Sequence, residues 1–289
     1  MKENKIFSYT VVIFVYALAI LTGKYTLDFL HLDNPYVEML IADLIATVIV
    51  FIFSYLFKNS SLYDPYWSVI PIPIVLYWML NTTQGSGIRQ LLVLTVISFW
   101  SLRLTVNWIK SWPNLKHQDW RYKKLKEDSG KYYWLVSLFG IHLFPTLIVF
   151  VGLLPVLPTV TNSHSLGIFD LVGFIICIFA VLLEYTADEQ LRRFKISNPD
   201  KGMNMDKGLW AICRHPNYLG EILFWFGLFV LCLSGDPISN LWTGIGFVSM
   251  FILFKFISIP MMEKRLIHNK DQYEGYINKV PALIPRFWK

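Results

Sequence analysis

A chain of 289 residues that is 55% hydrophobic, 17% aromatic and only 16% charged falls well below the roughly 25% charged share of a water-soluble protein, and its mean hydropathy is +0.46. This composition excludes a doubly wound cytosolic enzyme, a secreted disulfide scaffold and a disordered tail; lipid is the solvent for most of this surface. The net charge of +6 does not signal nucleic-acid binding, because the basic residues gather at the ends of apolar segments.

Apolar runs long enough to cross a bilayer fall at about 6–22, 39–57, 66–81, 88–109, 133–156, 167–187, 216–233 and 240–260. The third is the weakest, with Pro71 and Pro73 near its start. The expected fold is an all-α integral membrane protein of about eight transmembrane helices, with 1–58 as an N-terminal transmembrane hairpin and 59–289 as a helical membrane domain. Basic residues test the list independently. Lys2, Lys5 and Lys58, seven between Lys110 and Lys131, five between Arg192 and Lys207 and six after Pro260 fall on one side, against Lys24 and Arg89 on the other. The positive-inside rule then places both termini in the cytoplasm. The first apolar run is long and no small-residue cleavage site follows it, so no cleavable signal peptide is expected. The setting is a multi-pass protein of an endoplasmic reticulum or bacterial inner membrane. Cys177, Cys213 and Cys232 all lie in apolar stretches and imply no disulfide framework.

Ionisable residues within membrane segments are costly and mark interior or wet positions. Asp64 stands before Pro65 and Trp67 at the start of the third run, and Arg103 sits in mid-span in the fourth. In the sixth, Glu184, Asp188, Arg192 and Lys195 fall within about 80° of one another on a helical projection. Taken alone, that stripe reads equally as interfacial i,i+4 pairs. In Arg214-His215-Pro216-Asn217-Tyr218-Leu219-Gly220-Glu221, Pro216 suits the first position of a helix. Arg214 and His215 then precede a helix N-terminus that favours an anion, a phosphate cradle, while Asn217, Tyr218 and Glu221 share one face. A headgroup anchor explains Arg214 but not Asn217 and Glu221 a turn deeper. Glu263, Lys264 and Arg265 fit an amphipathic helix lying on the membrane.

Those eight residues are preceded by Gly208-Leu209-Trp210 and followed by Trp225 and Gly227. Elsewhere the chain carries Asp64-Pro65-Tyr66-Trp67, Trp100-Ser101-Leu102-Arg103, Gln118-Asp119-Trp120-Arg121-Tyr122, and Tyr273, Tyr276, Pro281 and Pro285 near its end. Together they resemble the steroid 5α-reductase-like superfamily over roughly residues 60–289. The nearest likeness is to its broad branch of uncharacterised membrane proteins, related also to sterol C14 and C7 reductases. The resemblance implies a polytopic helical reductase that binds NADPH in a cytoplasm-facing cavity without a Rossmann domain, and no Gly-rich dinucleotide fingerprint interrupts that reading. The implied cofactor contacts are Arg103, Asp188, Arg192, Lys195, Asn217, Glu221 and Arg265, to which the hallmark adds Arg214, His215 and Tyr218. Asp64 stands where the steroid reductases place a Glu that holds the substrate ketone together with a Tyr. That Tyr position is Trp100 here, so another phenol such as Tyr63, Tyr66 or Tyr77 is the expected donor, and Asp64 and Tyr66 are the candidate catalytic residues.

The expected chemistry is hydride transfer from NADPH to the carbon–carbon double bond of a lipophilic enone (steroid, sterol or related lipid) drawn from the bilayer. A desolvated Asp64 would act as a neutral acid or pair with Arg103. Neither a metal nor a nucleic-acid partner is expected. Two alternatives come from other classes. An S-adenosylmethionine-dependent membrane methyltransferase of the isoprenylcysteine carboxyl type shares a similar Arg-His-Pro-x-Tyr-x-Gly pattern, and a non-catalytic sterol- or lipid-binding protein would keep the scaffold alone.

Overall fold

The computed structural model describes residues 4–198, 202–270 and 272–286, and no strand occurs among them. The chain divides into two units, Met1–Thr83 with Ile97–Leu157, and Gln84–Val96 with Pro158–Lys289. Among the described residues, six helical stretches are long and apolar enough to cross a membrane: Lys5–Leu30, Pro35–Leu56, Gly87–Ser111, Trp120–Thr161, Ile168–Ser197 and Pro237–Asn269. The other two expected spans are helical but short. The run at 66–81 breaks into α3 (Tyr66–Val69) and α4 (Pro71–Leu80), because Pro71 and Pro73 remove two backbone donors and crowd the preceding turn. The run at 216–233 is a 17-residue helix, Pro216–Cys232.

In the first unit α1 (Lys5–Leu30) packs on α2 (Pro35–Leu56). Asn34 accepts from the amides of Tyr36 and Val37 and Pro35 occupies the first turn, a start in which the cap offsets the orphan donors. Buried Ala19, Ala42 and Ala46 let the two backbones approach closely. After α2 the chain turns through Lys58, at φ 52°, so that the Asn59 side chain accepts from the Ser61 amide at 2.9 Å and donates to the carbonyl of His117 at 3.1 Å. That turn carries Asp64. α5 (Gly87–Ser111) passes from the second unit into the first, and α6 (Trp120–Ser129) follows it. Next come α7 (Tyr133–Val136) and α8 (Phe144–Gly152), joined by a π-helical segment, Ser137–Leu143. Pro145 cannot donate to the Ile141 carbonyl, and the wider turn absorbs the mismatch.

In the second unit, after α9 (Val156–Thr161), α10 (Ile168–Ser197) and α11 (Pro216–Cys232) form the main helix pair. Their approach is set by glycines. A Cβ at Gly173 would stand 2.6 Å from the Leu231 amide, one at Gly220 2.7 Å from the Glu184 Cβ, and one at Gly227 2.6 Å from the Cys177 sulfur. Such a small-residue seam takes the place of the hydrophobic driving force that lipid does not supply. α12 (Pro237–Asn240), α13 (Ile245–Ile252) and α14 (Ile259–Asn269) follow, with a second π segment, Leu253–Ser258, before Pro260, and α15 (Tyr273–Lys279) ends the helical part. At the end of the unit that holds the start of α5, Arg89 is wholly buried. Its guanidinium donates to Asp170 at 2.7 and 3.1 Å and to the carbonyls of Asn162, His164 and Ser165. The three cysteines are buried free thiols.

Candidate functional site

Asp64 lies in the loop between α2 and α3 and is half-buried. The Tyr122 hydroxyl donates to its Oδ1 at 2.6 Å. α6 is held there because Asp119 caps it, accepting from the Arg121 amide at 2.8 Å, while the Asp119 amide donates to the Ser61 hydroxyl at 2.9 Å. Burial pushes the Asp64 carboxyl up to about 6, against the lowering effects of the Tyr122 hydrogen bond and the Arg121 charge. Of the two states expected for this acid, neutral or paired with Arg103, burial favours the neutral one.

Tyr66 is fully buried behind this loop, and its hydroxyl donates to Asp43 Oδ1 at 3.2 Å. Around it the Thr47 and Thr146 hydroxyls share a 2.9 Å bond, Tyr63 bonds Thr146 at 2.8 Å, and His142 bridges the Ser137 carbonyl (2.9 Å) and the Ser54 hydroxyl (3.0 Å). Sequence reasoning missed Asp43, Thr47 and Ser54. The signal was present, since spacings of four and eleven put all three within about 40° on one face of an otherwise apolar helix. Trp100 is fully buried with its ring edge-on to Trp67 at 5.7 Å. Arg103 is 8% exposed in the same unit.

In the second unit the stripe on α10 is divided. Glu184 is buried and Asp188 half-buried, whereas Arg192 and Lys195 are exposed. Arg192 turns to Glu189, which it meets with two 2.7 Å bonds; Arg193 shares that carboxylate. Asn217 Nδ2 donates to Asp188 Oδ1 at 3.1 Å, and Asn217 Oδ1 is buried without a hydrogen-bond donor. Glu221, one turn on, is 2% exposed and accepts from the Trp225 indole at 3.1 Å. Gly208, at φ 58°, lies against Gln190, whose Oε1 accepts from the Leu209 amide at 3.0 Å, and the Trp210 indole donates to the Ala187 carbonyl at 3.0 Å. The Gly-Leu-Trp motif thus fastens the loop after α10 back onto that helix.

Arg214 and His215 face inward. Arg214 donates to Glu263 Oε1 at 2.8 Å and to the carbonyls of Ile277 (2.9 Å) and Val280, while His215 Nε2 lies 2.9 Å from the same carboxylate oxygen. The backbone amides of both residues donate to Pro281 and Ala282, at 2.9 and 3.1 Å. The pair expected to cradle phosphate therefore ties the start of α11 to α14 and to the C-terminal segment. Tyr218 stacks on His215 with ring centroids 5.3 Å apart and joins the apolar cluster of Ile222, Ile259 and Leu283. Arg265 is exposed on α14. Glu263, which serves both basic residues, was read only as part of an amphipathic pattern, because spacing along one helix cannot name a partner on another. A cavity of about 1170 Å³ opens beside this segment, its lining including Asn198, Asn204, Lys207, Tyr276, Lys279 and Arg286.

Comparison with known proteins gives two matches. The sequence pattern of a family described as "Protein of unknown function (DUF1295)" matches residues 50–280. An uncharacterized protein of Schizosaccharomyces pombe is 26% identical over 292 residues, covering 92% of this chain and 84% of its own length. No solved structure matches.

Proposed function

From the premise that this chain belongs to the DUF1295 family, we propose that it is a membrane-embedded, NADPH-dependent reductase of the steroid 5α-reductase-like kind, acting on the carbon–carbon double bond of a lipophilic enone. One observation carries the reading: Asn217 Oδ1 is a buried acceptor without a donor, one turn before Glu221 on α11 and against Asp188 of α10. A buried unmatched acceptor is costly, and a carboxamide N–H is the group that completes it, so the residues fit the nicotinamide end of the cofactor. Asn217, Asp188 and Glu221 would hold that end; the exposed Arg192, Lys195 and Arg265 are the cations for its phosphates. Arg214 and His215 serve by holding the start of α11 in place. When bound, NADPH supplies the hydride. Asp64 stabilises charge that develops on the substrate oxygen. The apolar spans admit the substrate from lipid.

Methyl transfer from S-adenosylmethionine is the second reading, favoured by one observation: the internal bonds of Arg214 leave it turned away from any phosphate. The two are separated by the thermal stability of the detergent-solubilised protein with each cofactor, since stabilisation follows RT ln(1 + [L]/Kd). NADPH is expected to raise the melting temperature of the parent and not of Asn217→Ala or Glu221→Gln. A rise with S-adenosylmethionine alone reverses the assignment. Following NADPH oxidation with a panel of steroid, sterol, polyprenol and fatty enones identifies the substrate class.

A further inference from the structure

Segment 110–131 joins the end of α5 to the apolar run that begins at 133, so both of its ends stand at one face of the membrane. It holds seven basic residues against three acidic ones. Asp119 is engaged with Arg121 at 2.9 Å. Lys110, Lys116, Lys123, Lys124, Lys126 and Lys131 are all exposed, and none of them forms an ion pair among the described residues. Cations of the second unit are matched differently: Arg192 and Arg193 share Glu189, and Arg214 is tied to Glu263. Uncompensated ammonium groups so close in sequence repel one another until an anion stands among them.

The backbone beneath these lysines is fixed from several directions. The Tyr9 hydroxyl donates to the Trp112 carbonyl at 3.0 Å, the Leu115 amide donates to the Ser8 hydroxyl at 3.2 Å, and the Asp119 amide donates to the Ser61 hydroxyl at 2.9 Å. Gly130, at φ 52°, ends α6 and separates it from the span that follows. Tyr132 is 60% exposed, with Lys131 Nζ 5.1 Å from its ring centre; an aromatic of this kind settles at headgroup level.

We propose that segment 110–131 is a binding surface for anionic phospholipid. Lys116, Lys123, Lys124 and Lys126 gather the headgroups, with Lys110 and Lys131 at the two span ends. A phosphodiester that carries no cation of its own supplies the counter-charge that the segment lacks. Each lysine near such a surface raises the local lipid concentration about fivefold. Glu127 and Asp128 reduce the attraction without cancelling it, and the fixed backbone keeps the ordering cost of binding small. The inference stands on the first unit alone and is independent of the reductase reading.

The test uses full-length protein in vesicles of equal parts phosphatidylcholine and phosphatidylglycerol. Trace photoactivatable analogues of each lipid, with a diazirine high on the acyl chain, are cross-linked and mapped by mass spectrometry. In the parent, phosphatidylglycerol is expected to label 110–131 about fivefold or more over phosphatidylcholine. That excess collapses at about 1 M salt, where charges are screened beyond about 3 Å. Lys123→Gln, Lys124→Gln and Lys126→Gln together lower it at least about fivefold while labelling of the rest of the chain is unchanged. The same three positions changed to Arg retain it. Lys207→Gln, Lys264→Gln and Lys279→Gln together remove equal charge from the second unit and leave the excess at 110–131 as in the parent. An excess that survives the first triple variant, or that falls equally in the last, overturns the proposal. A parent without any excess also overturns it and leaves the lysines to an acidic soluble partner.

Discussion

Asp64 concentrates the residue-scale questions, because its burial and the role proposed for it bear on the same proton. Its folded pKa is raised to about 6 by burial, above the ordinary carboxylate value near 4. The neutral acid therefore predominates below pH 6. Turnover that needs this form is expected to fall as pH rises through about 6, and in Asp64→Asn to be low with that pH dependence gone, while NADPH-induced stabilisation persists. Stability carries the same sign. The unfolded chain releases the proton first, so ionisation penalises the folded state progressively from about pH 4 to about pH 6. Thermal melts should show Asp64→Asn gaining on the parent over that window and holding its advantage above it. A variant that loses cofactor binding but keeps turnover per bound cofactor would make Asp64 a structural cap.

Glycine and a single carboxylate dominate at the scale of elements. Gly220 stands inside the hallmark 214–221, yet its surroundings give it a packing role, with Ala180 and Glu184 of α10 within 2.8 Å of the Cβ it lacks. Gly220→Ala must part α10 from α11 and is expected to cost on the order of 1–3 kcal/mol, seen as a lower melting temperature. Gly275→Ala, on α15 with nothing within 4 Å, should be neutral or stabilising through helix propensity. Glu263 is the corresponding hinge of charge: Glu263→Ala leaves a buried Arg214 without its carboxylate, a loss on the order of 3 kcal/mol. Because Arg214 also holds the carbonyls of Ile277 and Val280, limited proteolysis should cut near 277–286 faster in Glu263→Ala than in the parent. Equal cleavage rates would show that the backbone bonds of Arg214 and His215 suffice.

For the whole molecule, the basic residues predict sidedness. Lys126 and Lys279 should lie on one face of the membrane and Lys24 on the other. With the native thiols buried, single cysteines at these exposed positions can be labelled in oriented vesicles with a membrane-impermeant maleimide. Labelling of Lys126→Cys and Lys279→Cys from the same side, and of Lys24→Cys from the opposite side, is the expected result. Labelling of Lys24→Cys together with the other two would mean that the segment of α3 and α4 does not cross as counted, and labelling of Lys279→Cys opposite to both of the others would mean that α11 does not cross either.

The all-helical class and most of the long apolar helical runs followed from sequence alone. Apolar run length, proline position and charge clustering act locally, and local physics is what a linear chain displays. The break at Ile70 was likewise foreshadowed by Pro71 and Pro73. Partner identity was a different matter. Tyr122 with Asp64, Glu263 with Arg214 and Arg89 with Asp170 join residues 58, 49 and 81 positions apart. Helical periodicity says which residues share a face of one helix; which residue of another helix meets that face is settled only by packing, here through glycine seams, π turns and the loop at Lys58. For that reason Arg214 read as an open anion site in the sequence and became an internal tie in the fold, where desolvation makes a buried guanidinium seek its carboxylate and carbonyl partners within the protein.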